Sequence, residues 1–534
     1  MESSEPKRSQ PGPGALLIRA DAGVQTGTGH VMRCLALAQA WARRGGQPIF
    51  FLSDSFPAIT QRILSEGFEV VYVPATAAAN DIDCVLETGH RNSASWAILD
   101  GYTFSTQHQQ HLLDAGLQVL VIDDYGQTDR YPASIILNHN VYASASRCAD
   151  IYKARGTNTR LLLGSQYALL RREFLAWAIW KRRIRPDAAR LLITLGGSDA
   201  ANRSGDILRA LSSLLQENDI EVVLLVTGAA QSDSTLEGEA AKISKNIRLV
   251  HNTSDMPAWM AWADIAAAGA GVTASELCFM GLPALLLVLA KNQRPVANRL
   301  TELGAALQSH ADGAFDANEF ASTVRELRNS PLRAKMSQSG RDLIDGLGAD
   351  RVCAAMIGKE LRLRPLCADD CDLLFRWAND PEVRAVSFHT EPIPRATHEQ
   401  WFAAKFSDPA AVFHIGEDTT GKSVGQTRYA LEGNRAVLSI NVDPALKGQG
   451  WGRELLYFST RTLFRERNVA AIDAFVHPSN TSSLRLFEQA GFESAGNCEI
   501  QGRVAAHFVT KAPQPSRTND AELQIAINSQ KEIE

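Results

Sequence analysis

The chain's first chemically suggestive stretch is a glycine-rich run that ends on a histidine, Gly27-Thr28-Gly29-His30. A short apolar strand, Ala15 to Ala20, leads into it, and a helix with Val31, Leu35, Leu37, Ala38 and Trp41 available for burial leads away. Gly27 and Gly29 allow the backbone close to a ligand, and the helix start offers N–H groups to an anion. His30 sits at the positive end of the helix dipole, which favours a neutral imidazole able to take a proton from water. A plain turn with a capping histidine would read the same way, because a single Gly-x-Gly is a weak signal.

A second run, Lys447-Gly448-Gln449-Gly450-Trp451-Gly452, follows the β-branched strand Val437 to Val442 and opens another helix. Glycines at 448, 450 and 452 free consecutive amides to hold a pyrophosphate at the helix start. Dinucleotide-binding turns use a different glycine spacing. Asp21, Asp100, Asp123 and Asp124 fall at predicted strand ends, where a sugar or base contact and a plain turn or cap are both open readings.

The elements that must position these residues come in three groups. Strand-like runs at 15–20, 48–52, 69–73, 96–99, 119–122 and 134–137 alternate with helical segments, and the rhythm restarts at 191–195, 221–226, 247–249, 265–267 and 284–288. This predicts two Rossmann-like α/β domains, residues 15–160 and 161–357, with ligands beyond the carboxyl ends of the strands. A unit of different style follows at 358–512. The polar residues 1–14 and 513–534 read as a disordered start and a flexible tail.

With 534 residues the chain is too long for one core. A net charge of -5 and the lack of a basic stripe argue against nucleic acid and acidic membranes as partners. Eight scattered cysteines without a His or Cys pair at zinc spacing read as reduced thiols, and no Asp-rich cluster calls for a metal. With neither a signal-like apolar segment nor an 18-residue apolar run, the expected location is the cytoplasm.

Beyond residue chemistry, Arg19-Ala20-Asp21 with Gly27-Thr28-Gly29-His30-Val31-Met32-Arg33-Cys34 resembles the N-terminal signature of the UDP-2,4-diacetamido-2,4,6-trideoxy-altropyranose hydrolases of pseudaminic acid biosynthesis. Asp100-Gly101-Tyr102, Ile122-Asp123-Asp124, Asn138, Gly164 to Arg171, Gly196 to Asp199 and Asp345 to Ala349 agree in order, so the resemblance spans about 15–357. It implies a GT-B-like pair of domains that uses water as acceptor. His30, with Tyr102 and Asn292, would surround the attacking water. Asp21, Gly27, Gly29, Arg33, Gly197, Ser198, Gly271, Thr273, Glu276 and Gln293 would bind UDP and the sugar, with Glu276 on the ribose hydroxyls.

The 447–452 run, Val476-His477-Pro478-Ser479-Asn480, Ser483, Phe487 and Gly491-Phe492 resemble the GCN5-related (GNAT) acetyltransferases over about 359–512. That implies an α+β domain taking acetyl-CoA as cosubstrate, held by Asn441, Val442, Lys447, Gly448, Gly450, Gly452, Asn480 and Phe487. Many relatives carry Tyr where this chain has Phe487, so Ser483, another group or water would protonate the thiolate, or no acid is needed. His477 and Glu391 are possible bases. Together the resemblances imply 4-N-acetylation of a UDP-linked amino sugar followed by hydrolysis to free sugar and UDP. A GT-B glycosyltransferase with an acetyl-CoA-binding module is the alternative.

Overall fold

The computed structural model describes residues 12–515 apart from 24–26, 54–56, 74–77, 145, 156–158, 197–202, 218–219, 227–233, 252, 254, 310–314 and 501. The expected disorder at 1–14 and 513–534 therefore falls outside the described residues except at 12–14 and 513–515, and the expected contacts of Gly197 and Ser198 fall outside them too. The chain divides into two compact units, one running to Cys353 and the other spanning Ala354–Gln514.

The first unit holds two sheets. The first contains β1 (Ala15–Ala20), β2 (Gln47–Leu52), β3 (Glu69–Tyr72), β4 (Trp96–Asp100), β5 (Gln118–Ile122), β6 (Ile135–Asn138) and β7 (Arg160–Leu163). Their order is β3-β2-β1-β4-β5-β6-β7, and every pair is parallel. All six residues of β1 are buried, the apolar residues 15–18 covered on both faces and Arg19 paired with Asp21 and Asp81. The second contains β8 (Arg190–Thr194), β9 (Glu221–Val226), β10 (Ile247–His251), β11 (Ile265–Gly269), β12 (Ala284–Leu287) and β13 (Leu307–Gln308). It is also parallel, in the order β10-β9-β8-β11-β12-β13. The strand order reverses between β1 and β4 and again between β8 and β11, the switch points where such sheets bind ligands. The two Rossmann-like sheets expected from the alternating pattern are present.

Two matching motifs meet in this unit for a steric reason. A Cβ on Gly348 would lie 2.2 Å from the Ala168 carbonyl oxygen, so only glycine lets 345–349 pack on 164–171. Arg351 fastens the contact, donating to Gln166 O at 2.8 Å and to Asp345 Oδ1 at 2.8 Å.

The second unit is a mixed sheet of β14 (Arg362–Arg364), β15 (Ala411–Glu417), β16 (Ser423–Glu432), β17 (Arg435–Val442), β18 (Ala471–Val476), β19 (Glu493–Ile500) and β20 (Arg503–Lys511). The order is β14-β15-β16-β17-β18-β20-β19. Only β17 and β18 run parallel. Their pairing stops at Leu438↔Ala474, although β17 continues to Val442 and β18 to Val476. The two strands part there, beside the helix Trp451–Glu466.

Candidate functional site

In the first unit, the helix Gly29–Arg43 starts directly after β1's loop and carries His30, which is 6% exposed. Gly27 closes that loop through paired backbone bonds with Gly23, at 2.8 and 3.2 Å, and takes φ +73°. Gly29, the first residue of the helix, approaches the second sheet: a Cβ on it would sit 3.8 Å from Val272 Cγ2, at the start of the helix Val272–Phe279. Gly271 caps that helix, and a Cβ there would lie 3.7 Å from Gln293 Nε2. Gln293 in turn accepts from Leu289 N at 3.0 Å. The two strand–helix turns thus face each other, with Thr273 half-buried in the first turn of the second helix.

The three residues expected around the water are brought together. The Tyr102 ring meets His30 edge-on, centroids 4.8 Å apart. Asn292 Nδ2 donates to the Tyr102 hydroxyl at 2.9 Å. That hydroxyl also points toward Asp124 Oδ2, 3.5 Å away. Burial and the Asp124 charge push the Tyr102 phenol well above its ordinary range, so it is a proton-bearing group. His30 Nδ1 is buried and has no hydrogen-bond partner among the described residues.

Other expected contacts have different partners. Arg33 is 4% exposed and grips Asp100 through Nε and Nη2, each at 2.7 Å, while Nη1 reaches Asp124 Oδ1 at 2.8 Å and His139 Nε2 at 3.3 Å. Its donors are committed inside the protein, so it anchors the floor of the site. Because guanidinium only donates, His139 Nε2 must accept, which fixes a neutral imidazole with its proton on Nδ1. Burial, reinforced by the Arg33 charge, pushes that imidazole down to about 4. Burial alone would raise the Asp124 carboxyl, but Arg33 overrides this by charge and hydrogen bond and holds it well below the usual range.

Glu276 is likewise occupied: Arg171 Nη2 donates to its Oε1 at 2.8 Å. Burial raises the Glu276 carboxyl, and Arg171 opposes the rise. Asp123 is a turn residue, its carboxylate accepting from the amides of Tyr125, Gly126 and Gln127 at 2.8, 2.6 and 3.1 Å. Asp21 accepts from Arg19, from Ser53 at 3.1 Å and from Thr103 at 3.2 Å. Gly196, two residues after β8, takes φ +83°. The sequence reading gave no role to Arg171, His139, Asn140 or Tyr125. Asn140, which donates to Asp124 Oδ1 at 2.9 Å, and His139 directly follow Asn138 of a quoted motif. Arg171 ends another, so proximity to matching segments was the available signal.

In the second unit, Asn441 and Val442 lie on the part of β17 that has left β18, and they pair with Gln426 and Gly425 of β16. Gly448 and Gly450 take φ +73° and +89°, and Gly450 caps the helix. A Cβ on Gly452 would come 3.3 Å from both Val442 Cγ2 and Leu486 Cδ2, so this glycine seats the helix against the parted strand. These features place amides of a helix start beside an open strand edge, which suits a pyrophosphate followed by an extended thioester arm. Lys447 Nζ lies 3.2 Å from both Asp380 Oδ1 and Glu382 Oε2.

Two expected acetyl-CoA contacts turn inward. Asn480 Oδ1 caps the helix Thr481–Gln489 by accepting from Ser483 N at 3.1 Å. Phe487 is 3% exposed and packs on Phe492 and Phe508, with centroids 5.0 and 5.7 Å away. His477 Nδ1 lies 2.7 Å from the Ser479 hydroxyl, and Glu391 is exposed. Among the described residues no group of three or more His, Cys, Asp or Glu could hold a metal ion, and no helix is long and apolar enough to cross a membrane.

Residues 191–345 match the glycosyltransferase family 28 C-terminal domain, and residues 360–493 match the acetyltransferase (GNAT) domain. An uncharacterized protein of Methanocaldococcus jannaschii is 21% identical over 499 residues, covering 90% of this chain and 96% of its own. A spore coat polysaccharide biosynthesis protein of Bacillus subtilis is 25% identical over 340 residues, 64% of this chain and 96% of its own. A UDP-2,4-diacetamido-2,4,6-trideoxy-beta-L-altropyranose hydrolase of Campylobacter jejuni is 24% identical over 290 residues, 54% of this chain and 97% of its own. The chain therefore joins an N-terminal region similar to UDP-sugar hydrolases and family 28 glycosyltransferases to a C-terminal GNAT-type acetyltransferase domain.

Proposed function

We propose that the chain is a bifunctional nucleotide-sugar enzyme. Its 15–357 region, as domains 15–160 and 161–357, hydrolyses a UDP-2,4-diacetamido-2,4,6-trideoxy-hexose of the altropyranose type to free sugar and UDP. Its 358–512 region acetylates the 4-amino group of the UDP-sugar precursor, the preceding step toward a nonulosonic acid such as pseudaminic acid. Both cosubstrates are cytosolic metabolites, so we assign the protein to the cytoplasm.

The observation that carries this reading is the His30–Tyr102–Asn292 cluster, set opposite the Gly271-capped helix. The amides at that helix start would take the UDP phosphates, and its dipole would stabilise the departing charge. His30 would accept a proton as the water oxygen bonds to the anomeric carbon and the carbon–oxygen bond to UDP breaks on the opposite face. The configuration inverts, and the proton passes from His30 to solvent. In the acetyltransferase, the sugar amine would attack the thioester carbonyl, whose oxygen meets the amides of the parted strand around Asn441 and Val442. The carbon–sulfur bond then breaks, and the amine proton is lost to solvent or a nearby base.

A glycosyltransferase passing the sugar to an acceptor, with an acetyl-CoA-binding module behind it, is the second reading, favoured by the family 28 match. Release of UDP without acceptor separates the two. The first test is His30→Ala, which should lower UDP release by roughly two to four orders of magnitude and leave acetyl transfer intact. A variant within a few-fold of the parent would remove His30 from the mechanism.

A further inference from the structure

Among the described residues six large apolar side chains are exposed, and two of them, Tyr102 and Tyr125, stand side by side with ring centroids 6.0 Å apart. Tyr102 is 42% exposed and touches His30; Tyr125 is 53% exposed. An exposed aromatic ring on a floppy loop would say little. Tyr125 stands on the opposite kind of support. Its own amide and the two that follow all donate to the Asp123 carboxylate, which is fully buried and also accepts from the Tyr131 and Tyr152 hydroxyls. Gly126 takes φ +79°, and a Cβ there would strike Ile151 Cγ2 at 2.9 Å. Arg155 Nη1 ties the same turn by donating to Gly126 O at 2.6 Å.

The chain thus commits a buried carboxylate, two tyrosine hydroxyls and an arginine to hold a turn whose tip leaves its ring in solvent. Folding alone would bury that ring. A fixed, exposed ring beside the tyrosine that meets His30 is instead a preorganised ligand contact, costing little entropy on binding. The face of a pyranose carries C–H bonds that pack on a π face, and methyl groups of deoxy and acetamido substituents do the same.

We propose that Tyr125 is a sugar-stacking, specificity-determining residue: with Tyr102 it forms an aromatic platform for the sugar of the UDP-sugar, leaving the uridine and phosphates to the second sheet's turns. This rests on the hydrolase reading above. The contact is to the face of the sugar ring and is made already in the bound ground state, so it acts mainly on KM rather than on kcat.

Tyr125→Ala and Tyr125→Phe in the full chain test it, with UDP release from the UDP-2,4-diacetamido-2,4,6-trideoxy sugar as readout and UDP as product inhibitor. Tyr125→Ala should raise KM about tenfold, keep kcat within about threefold and leave the inhibition constant of UDP unchanged; Tyr125→Phe, which keeps the ring, should match the parent. A KM within twofold of the parent in Tyr125→Ala overturns the proposal, as does an equal rise in the UDP inhibition constant. If the parent releases no UDP, the hydrolase reading fails by itself. Calorimetric affinities for the UDP-sugar and for UDP then decide Tyr125 by the same split.

Discussion

Asn292 donates to the Tyr102 hydroxyl at 2.9 Å across 190 residues of sequence, tying the turn after β12 to the turn after β4. One hydrogen bond therefore links the two sheets of the first unit at the ring that meets His30. On the proposed mechanism this bond would couple the second sheet to the placement of His30.

That coupling is measurable. Tyr102→Phe keeps the ring against His30 but removes the hydroxyl; Asn292→Ala removes the donor. Each should slow UDP release by about tenfold or more, and the double variant should be no slower than the worse single. Strict additivity in the cycle would show that the hydrogen bond is incidental to catalysis.

Acid sensitivity follows from buried histidines in both units, His139 in the first and His414 and His398 in the second, all pushed down by burial. His139 and His414 are both pushed from 6.5 down to about 4, by burial and by the charges of Arg33 and Arg467 respectively. The stability of holding them neutral is complete above pH 6.5. As pH falls from 6.5 toward 4 the unfolded chain binds protons that the folded chain refuses. Each then removes about 1.4 kcal/mol per pH unit, to a limit of about 3 kcal/mol. His414→Phe, placed beside the Tyr429 ring 5.9 Å away, should flatten the fall in melting temperature of the second unit between pH 6.5 and 4.5. An unchanged slope in that variant would mean that other groups set the acid limit.

Gly452 offers a test confined to the acetyltransferase. Valine there would force the helix Trp451–Glu466 off Val442 and Leu486, which already lie 3.3 Å from an added Cβ. The KM for acetyl-CoA should rise about tenfold or more, with UDP release unaltered. Normal acetyl-CoA saturation in Gly452→Val would take the pyrophosphate away from this helix start.

Most of the first unit was legible because its strands are built around buried apolar runs: residues 16–18 of β1, 191–193 of β8, 222–226 of β9 and 265–268 of β11 need no partner information to be recognised. In the first unit the strands that escaped were β7, half-buried at three of four residues, and the two-residue β13, both at sheet edges where the apolar signal fades. In the second unit only β14 and β17 were read as strands, and β15, β16, β18, β19 and β20 were not. The turns of the candidate site were legible where backbone shape decides, as with Gly27 and Gly450, which take φ +73° and +89°. The site was not legible where a charge has a distant partner. Arg33 meets Asp100 and Asp124 at separations of 67 and 91 residues, and Glu276 meets Arg171 at 105. The resemblance gave Arg33 and Glu276 to the ligand; in the fold each also has a charged partner inside the protein.

The central claim is that water, activated beside His30, attacks the anomeric carbon and expels UDP. Hydrolysis of the UDP-2,4-diacetamido-2,4,6-trideoxy sugar in oxygen-18 water, without acceptor and with a chelator present, tests it most directly. The account predicts UDP release with the label in the sugar and the inverted anomer as first product. Label in UDP, or no UDP release until an acceptor is added, would contradict it.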